Sequence, residues 1–348
     1  LFDFEEKEDT IKLSILSTPS KYMRGEKRMK NVMKTIEECG IVPVITLPDI
    51  QCALPLAQAL MDGDISVVEF TLRNPFGLEA IAAVKKRFGE RFTVGAGTVL
   101  SCEQADQAME AGADFIVAPG FDRQVVEHCL KKGIAVLPGC TTAGEIGQAV
   151  ALGLSAVKFF PAESVGGVSA MKLLASPFKV RFVPTGGITL QNIGSYLENK
   201  EVLACGGSFM ISSGLLKKGD FEEITALCRQ VREASLDFKL AHAGINCENG
   251  EEALAAARAV SALFGFPVEE GGSSVFAGQA VECMKSPYFG KNGHIGFSTA
   301  SMTRALAYFR RRGVAIREES IKCDDGGELV AAYFAEEIAG FAIHIVRR

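Results

Sequence analysis

One apolar run in this sequence carries a single lysine: A-V-K-F-F-P at 156–161. Burying a charge costs several kcal/mol unless something compensates it. Lys158 is therefore either an interior lysine paired structurally with an acid, or an amine that burial keeps neutral and able to attack a ketone. A second apolar run, V-V-E-F-T-L-R, supplies Glu69. That carboxylate could be the salt-bridge partner of Lys158, or the acid/base that moves protons once an imine has formed. Arg73, four residues further on, could grip a substrate carboxylate with two parallel hydrogen bonds. Two glycine pairs, in Thr185-Gly186-Gly187 and Gly206-Gly207-Ser208, would let backbone N–H groups approach an anion closely. Either pair alone would read as a tight turn.

These groups need elements that bring them together. From residue 41 onward, short β-rich apolar runs alternate with amphipathic stretches. The runs are 41–46, 66–71, 92–98, 114–119, 134–139, 156–161, 181–187 and 202–207, and helical patterns such as Leu54–Met61, Leu78–Phe88, Ala105–Ala111 and Val125–Lys132 lie between them. Eight strands with eight crossovers predict an α/β fold, a closed (β/α)8 TIM barrel. Strands apolar on both faces fit a parallel sheet covered by helices. No glycine fingerprint follows the first strand, as an open doubly wound sheet would usually show. In a barrel, Lys158 and Glu69 should meet near the C-terminal rim. The glycine pairs then follow strands seven and eight, where such barrels usually bind phosphate. His128, in V-V-E-H-C-L-K on an exterior helix, reads as structural or solvated.

At 348 residues, 48% of them hydrophobic, the chain is long enough for two domains. A net charge of −5 gives no basic face and argues against a nucleic-acid partner. No apolar stretch approaches the roughly 20 residues needed to span a bilayer. The ten cysteines are scattered with no Cys-x-x-Cys pair, which predicts a reducing, cytoplasmic setting. Residues 1–28, rich in Lys and Glu, show neither an apolar period nor a secretory signal. They are expected to be an appendage without function, with Met29 as the natural start. The barrel should occupy 29–236, closing on a helix around Phe221–Ala234, with a junction at Ser235–Asp237.

Residues 237–348 follow a different pattern, an internal repeat with an offset of 52. His242-Ala243-Gly244-Ile245-Asn246 matches His294-Ile295-Gly296-Phe297-Ser298, Ala253-Leu254-Ala255 matches Ala305-Leu306-Ala307, and Arg258 matches Arg310. Each copy reads as strand, helix and several short strands. The expectation is a smaller α+β domain of two βαβββ modules that bury their sheet faces together.

The barrel segment resembles the 2-dehydro-3-deoxy-phosphogluconate (KDPG) and 4-hydroxy-2-oxoglutarate (KHG) aldolase family. The resemblance spans about residues 36–215 and rests on G-I-V-P-V-I, V-E-F-T-L-R, V-G-A-G-T-V, V-A-P-G, V-K-F-F-P-A-E, F-V-P-T-G-G-I and G-G-S, in family order. It implies a class I aldolase that needs no metal or other cofactor and cleaves a small keto-acid phosphate to pyruvate and an aldehyde. Lys158 would form the Schiff base and Glu69 would relay protons through water. Arg73 and Thr98 would hold the pyruvyl carboxylate, and Pro119 and Phe160 would wall the pocket. Gly186, Gly187, Gly207 and Ser208, with Thr185 and Gly206 beside them, would cradle the phosphate. A homotrimer is implied as well. Some relatives carry an arginine at the end of the first strand, where this chain has Thr46. That departure leaves room for 4-hydroxy-2-oxoglutarate or a 6-phosphogalactonate-type epimer as substrate. A rival class, a non-catalytic phosphosugar sensor, would keep the glycine pairs but could dispense with Lys158.

The second segment resembles the glyoxalase-like, vicinal-oxygen-chelate superfamily. That resemblance implies a divalent metal held by residues on the first and last strands of each module, here His242, Glu282, His294 and His344. Glyoxalases proper carry a glutamate where this chain has His344, so glyoxalase activity is not implied. The alternative is an interaction module whose histidines are hydrogen-bonded in its core.

Overall fold

The computed structural model describes residues 21–348. The first part runs α1 (Lys21–Cys39), β1 (Ile41–Ile45), α2 (Ala53–Asp62), β2 (Val67–Thr71), α3 (Phe76–Phe88), β3 (Thr93–Gly97), α4 (Cys102–Glu110), β4 (Phe115–Val117), α5 (Arg123–Lys132), β5 (Ala135–Leu137), α6 (Ala143–Ala151), β6 (Ala156–Phe159), α7 (Gly167–Phe178), β7 (Arg181–Pro184), α8 (Ile193–Leu197), β8 (Cys205–Gly207), α9 (Ser213–Lys218) and α10 (Phe221–Leu236). Every one of the eight expected runs contains a strand. Parallel pairing joins β1 through β5 in order, and β8 lies on the other side of β1. A bridge between Gly139 and Lys158 links β5 to β6, which pairs with β7, and bridges Phe182–Val202 and Thr185–Gly206 link β7 to β8. The pairings thus go once round in chain order and return to β1.

Helix signals are local and clear. Asp122 caps α5 by accepting from Gln124 and Val125, and Thr142 and Glu145 form a reciprocal capping box at α6. The helices bury small residues against the strands, such as Ala53, Ala57 and Ala59 of α2. Residue 29 is not a boundary: α1 starts at Lys21, and Gly25 packs on Gly133, with 3.1 Å between an added Cβ and the Gly133 Cα. Residues 1–20 of the expected appendage lie outside the described residues. None of the described helices is long and apolar enough to cross a membrane.

The second part contains β9 (Lys239–Asn246), α11 (Gly250–Phe264), β10 (Val268–Glu270), β11 (Ser274–Ala277), β12 (Val281–Met284), β13 (His294–Thr299), α12 (Met302–Arg311), β14 (Lys322–Cys323), β15 (Leu329–Ile338) and β16 (Phe341–Arg347). Each half is one βαβββ module. They join in one eight-stranded sheet, ordered β10-β11-β12-β9-β13-β16-β15-β14, with the first strands of both modules antiparallel at the centre. The junction is shorter than Ser235–Asp237. Ser235 and Leu236 are buried in the last turn of α10, so only Asp237 and Phe238 connect the two parts.

The two parts pack at the N-terminal ends of the parallel strands. Leu236 of α10 joins the core formed by Met302, Ala305, Leu306, Ala332 and Ile345. Arg304 of α12 is 3% exposed and donates to the carbonyls of Leu197 (3.0 Å), Val202 (3.1 Å) and Leu203 (3.5 Å), all ahead of β8. Burial lowers its pKa to about 10. Gly40, at φ +71°, makes room for this side chain, since a Cβ there would stand 2.7 Å from Arg304 Cδ. Gly40→Ala is therefore expected to lower unfolding free energy by about 2 kcal/mol or more, combining left-handed strain with the clash. In an Arg304→Ala background the cost should shrink towards the backbone part alone, as urea unfolding of the double-mutant cycle would show. Equal costs in both backgrounds would mean that Arg304 does not fill this space.

Candidate active site and a histidine cluster

Lys158 is the third residue of β6, with its neighbours Val157 and Phe159 packed into the core. Its Nζ lies inside the ring and donates to Glu69 Oε1 across 3.4 Å. Both residues are buried, at 6% and 3% exposure. Glu69 is held in register between Val44 of β1 and Gly95 of β3. Its carboxylate fits because position 97 is glycine: a Cβ there would stand 2.1 Å from Oε1. The Lys158 ammonium also lies 5.3 Å from the centre of the Phe160 ring.

The remaining expected residues lie just past strand ends on the same rim. Leu72 N–H bonds to Gly97 O at 2.8 Å, so Arg73 after β2 and Thr98 after β3 follow tied neighbours. Arg73 is exposed, whereas Thr98 is half-buried and left-handed at φ +60°. Pro119 follows β4, and its carbonyl oxygen would be 2.1 Å from a Cβ on Gly139. After β7, Gly186 and Gly187 adopt φ of +93° and +82°, which only glycine takes readily. Thr185 Oγ1 fills the space above Gly206, where a Cβ would meet it at 2.3 Å. Gly207 ends the next strand, and the exposed Ser208 follows it. His128 bonds Asp106 at 2.9 Å between α4 and α5, as expected of a structural residue.

Two supports were not read from the sequence. Gly97 is one; a glycine inside a strand pattern signals close approach by another group. The other is Glu163, whose side chain covers Gly187 and accepts from the Tyr196 hydroxyl. Burial, then Glu163, pushes the Tyr196 phenol up.

The family model for KDPG and KHG aldolase matches residues 32–227. The chain belongs to the KDPG and KHG aldolase family. It is accordingly an aldolase, a carbon–carbon lyase. A 2-dehydro-3-deoxy-phosphogluconate aldolase of Treponema pallidum is 47% identical over 203 residues, covering 58% of this chain and 96% of the relative. The 2-keto-3-deoxy-6-phosphogluconate aldolase of Zymomonas mobilis, solved with 3-phosphoglycerate, is 42% identical with a TM-score of 0.55, over 58% of this chain and 95% of its own. A KDPG aldolase from Legionella pneumophila, with pyruvate captured as a covalent carbinolamine, is 34% identical with a TM-score of 0.56, over 57% and 97%.

Beyond the aldolase match, the second part gathers all four of its expected ligand residues. His242 Nε2 and His294 Nε2 lie 3.3 and 3.0 Å from Glu282 Oε2, and His344 Nε2 lies 3.1 Å from His242 Nε2. The three imidazoles each offer a nitrogen within 4.8 Å of the others. Register makes this a pseudo-twofold arrangement. His294 and Glu282 flank Gly244, while His242 and His344 flank Gly296, 52 residues on. A Cβ on Gly244 would enter the His294 ring at 1.9 Å, and one on Gly296 would meet His344 Nε2 at 2.6 Å. These two glycines, inside the repeated H-A-G and H-I-G, were the unread signal. Burial, then the other two imidazoles, holds His344 down to about 3, and burial lowers His242 too. Burial raises the Glu282 carboxyl, but hydrogen bonds from His294 and Ser274 outweigh it and leave the group below its ordinary value. Tyr333 stacks on His344, with centroids 4.4 Å apart.

Proposed function

We propose that the barrel, from α1 to α10, forms a class I aldolase domain that cleaves 2-dehydro-3-deoxy-6-phosphogluconate to pyruvate and glyceraldehyde 3-phosphate. The single observation that carries this is the buried Lys158–Glu69 contact at 3.4 Å within the ring of strands. Lys158 passes a proton to Glu69, the freed amine attacks the C2 carbonyl, and Glu69 gives the proton to the departing hydroxyl, so that water leaves and an iminium remains. Glu69, through a water molecule, takes the proton of the C4 hydroxyl. The C3–C4 bond then breaks, its electron pair flows into the iminium, and the aldehyde leaves. Glu69 returns the proton to C3 of the resulting enamine, and hydrolysis frees pyruvate and the lysine. Arg73 and Thr98 hold the carboxylate, Pro119 and Phe160 wall the pocket, and amides of Gly186, Gly187, Gly207 and Ser208 face the phosphate. A homotrimer formed through the barrel rests on family resemblance alone. Free thiols at all ten cysteines fit a cytoplasmic setting.

For residues 237–348 we propose a glyoxalase-like, vicinal-oxygen-chelate domain holding a divalent metal on His242, Glu282, His294 and His344. The spacing of the donors supports this. Ligands about 2.0–2.1 Å from one ion stand roughly 3 Å from each other, and three of these donor pairs do, at 3.0, 3.1 and 3.3 Å. Three neutral imidazoles and one carboxylate suit zinc, nickel, iron or manganese. The metal would act as a Lewis acid on a chelating oxygen pair. His344 leaves that site without the glutamate base of glyoxalases.

Two expected outcomes follow. Hydrogen bonds to a charged group contribute about 1.5–3 kcal/mol each, so the 6-phosphorylated substrate should have a kcat/KM at least roughly a hundredfold above its dephosphorylated analogue. Ser208→Val should erode that preference. Equal efficiency would promote 4-hydroxy-2-oxoglutarate, cleaved to pyruvate and glyoxylate, as the main substrate, and a 6-phosphogalactonate-type epimer is tested in the same assay. Binding of the phosphosugar without any turnover would instead reveal a sensor. For the second part, elemental analysis of untagged protein should find one divalent ion per chain, lost in His242→Ala and His294→Ala. A metal-free protein whose melting temperature responds to neither divalent ions nor chelator would leave the histidines a packing role only, because a ligand of the native state must stabilise it.

A further inference from the structure

Glu69 and the glycine loops after β7 and β8 are separated, round the mouth, by the end of β1. Since Glu69 points inward to Lys158, alternation along β2 turns Thr71 inward as well, one layer nearer the rim. Thr71 is 1% exposed, and its Oγ1 lies 2.7 Å from Oγ1 of Thr46, the exposed residue that follows β1. One of the two hydroxyls donates in this contact. The other keeps its proton free, and Thr46 is the member open to the mouth. Both side chains are β-branched and stiff at χ1, so the Thr46 hydroxyl is held in one direction.

The order of strands says what this hydroxyl would meet. The carboxylate end of the substrate belongs to Arg73 and Thr98, after β2 and β3. The phosphate end belongs to the loops after β7 and β8. β1 pairs with both β2 and β8, so a chain joined to Lys158 and stretched between those ends passes Thr46 with its middle carbons. A neutral hydroxyl pair lacks the charge that makes carboxylate and phosphate contacts strong, and it suits a neutral hydroxyl. Resting on the aldolase reading above, we propose that Thr46, aimed by Thr71, determines specificity by hydrogen-bonding the substrate's C5 hydroxyl, the one beside the carbon that leaves as the aldehyde.

The test runs the reaction in the direction of synthesis, joining pyruvate to two acceptors. Glyceraldehyde 3-phosphate carries the hydroxyl next to its aldehyde, and 3-oxopropyl phosphate lacks it while keeping the phosphate. The protein should prefer the first by roughly tenfold or more in kcat/KM, the worth of a hydrogen bond whose loss strands a partner. Thr46→Val should bring the two acceptors close to equality, Thr71→Val should move the ratio the same way, and Thr46→Ser should restore it. An unchanged ratio in Thr46→Val, or an equal loss with both acceptors, would overturn the proposal. Deuterium exchange into the pyruvate methyl by the unaltered protein separates the two levels. Exchange with an unmoved ratio sinks only the role of Thr46, whereas no exchange sinks the aldolase reading on which it rests.

Discussion

Much of the barrel part answers to one constraint, the burial of a lysine and a glutamate in contact. Either charge alone would cost several kcal/mol in this interior. Together they are tolerable, and at 3.4 Å the bond is long for a charge-assisted one. The amine is thus placed without being tightly held. That geometry needs β2 and β6 on opposite sides of a ring narrow enough for the side chains to touch, which eight parallel strands supply. It also needs space beside the carboxylate, which is why β3 carries Gly97 and not a larger residue. The loops that would hold the two ends of the substrate inherit their places from the same ring.

The second part docks so as to leave this mouth clear. Arg304 inserts among carbonyls ahead of β8 and beside Gly40 ahead of β1, at the floor. Along β16, Ile345 packs with Leu306 of α12, and so the preceding residue, His344, lies on the opposite face of the sheet. The helix-bearing face therefore meets the barrel, and the histidine cluster looks away from it. The barrel mouth and the histidine cluster thus lie in separate places.

Features set by single residue types in repetitive surroundings were legible in the sequence. A lysine and a glutamate each alone in an apolar strand, and histidines at a constant offset, stand out because burial makes them costly. The eight strands were legible for the same reason, being apolar on both faces. What escaped were places where a residue matters by its smallness or by a distant partner. Gly97, Gly244 and Gly296 matter through the side chains that cross above them, which come from other strands. Arg304 looks like one more charge on an amphipathic helix, and only its placement at the floor shows it to be buried. The junction was misplaced because Ser235 is a weak helix former that tertiary packing overrides. The start of α1 was missed because residues 21–28 show no regular apolar period, and Gly25 packs on Gly133 through its smallness, which no side-chain pattern announces.

The pairing of Lys158 with Glu69 is most directly tested by trapping. The protein, incubated with pyruvate and reduced with borohydride, should gain one reduced pyruvyl group per chain, and peptide mass spectrometry should place it on Lys158. Glu69→Gln should form the adduct more slowly and still at Lys158, the outcome expected of a carboxylate that moves protons and is not the nucleophile. An unmodified Lys158 under conditions where pyruvate binds, or an adduct on another lysine, would contradict the account.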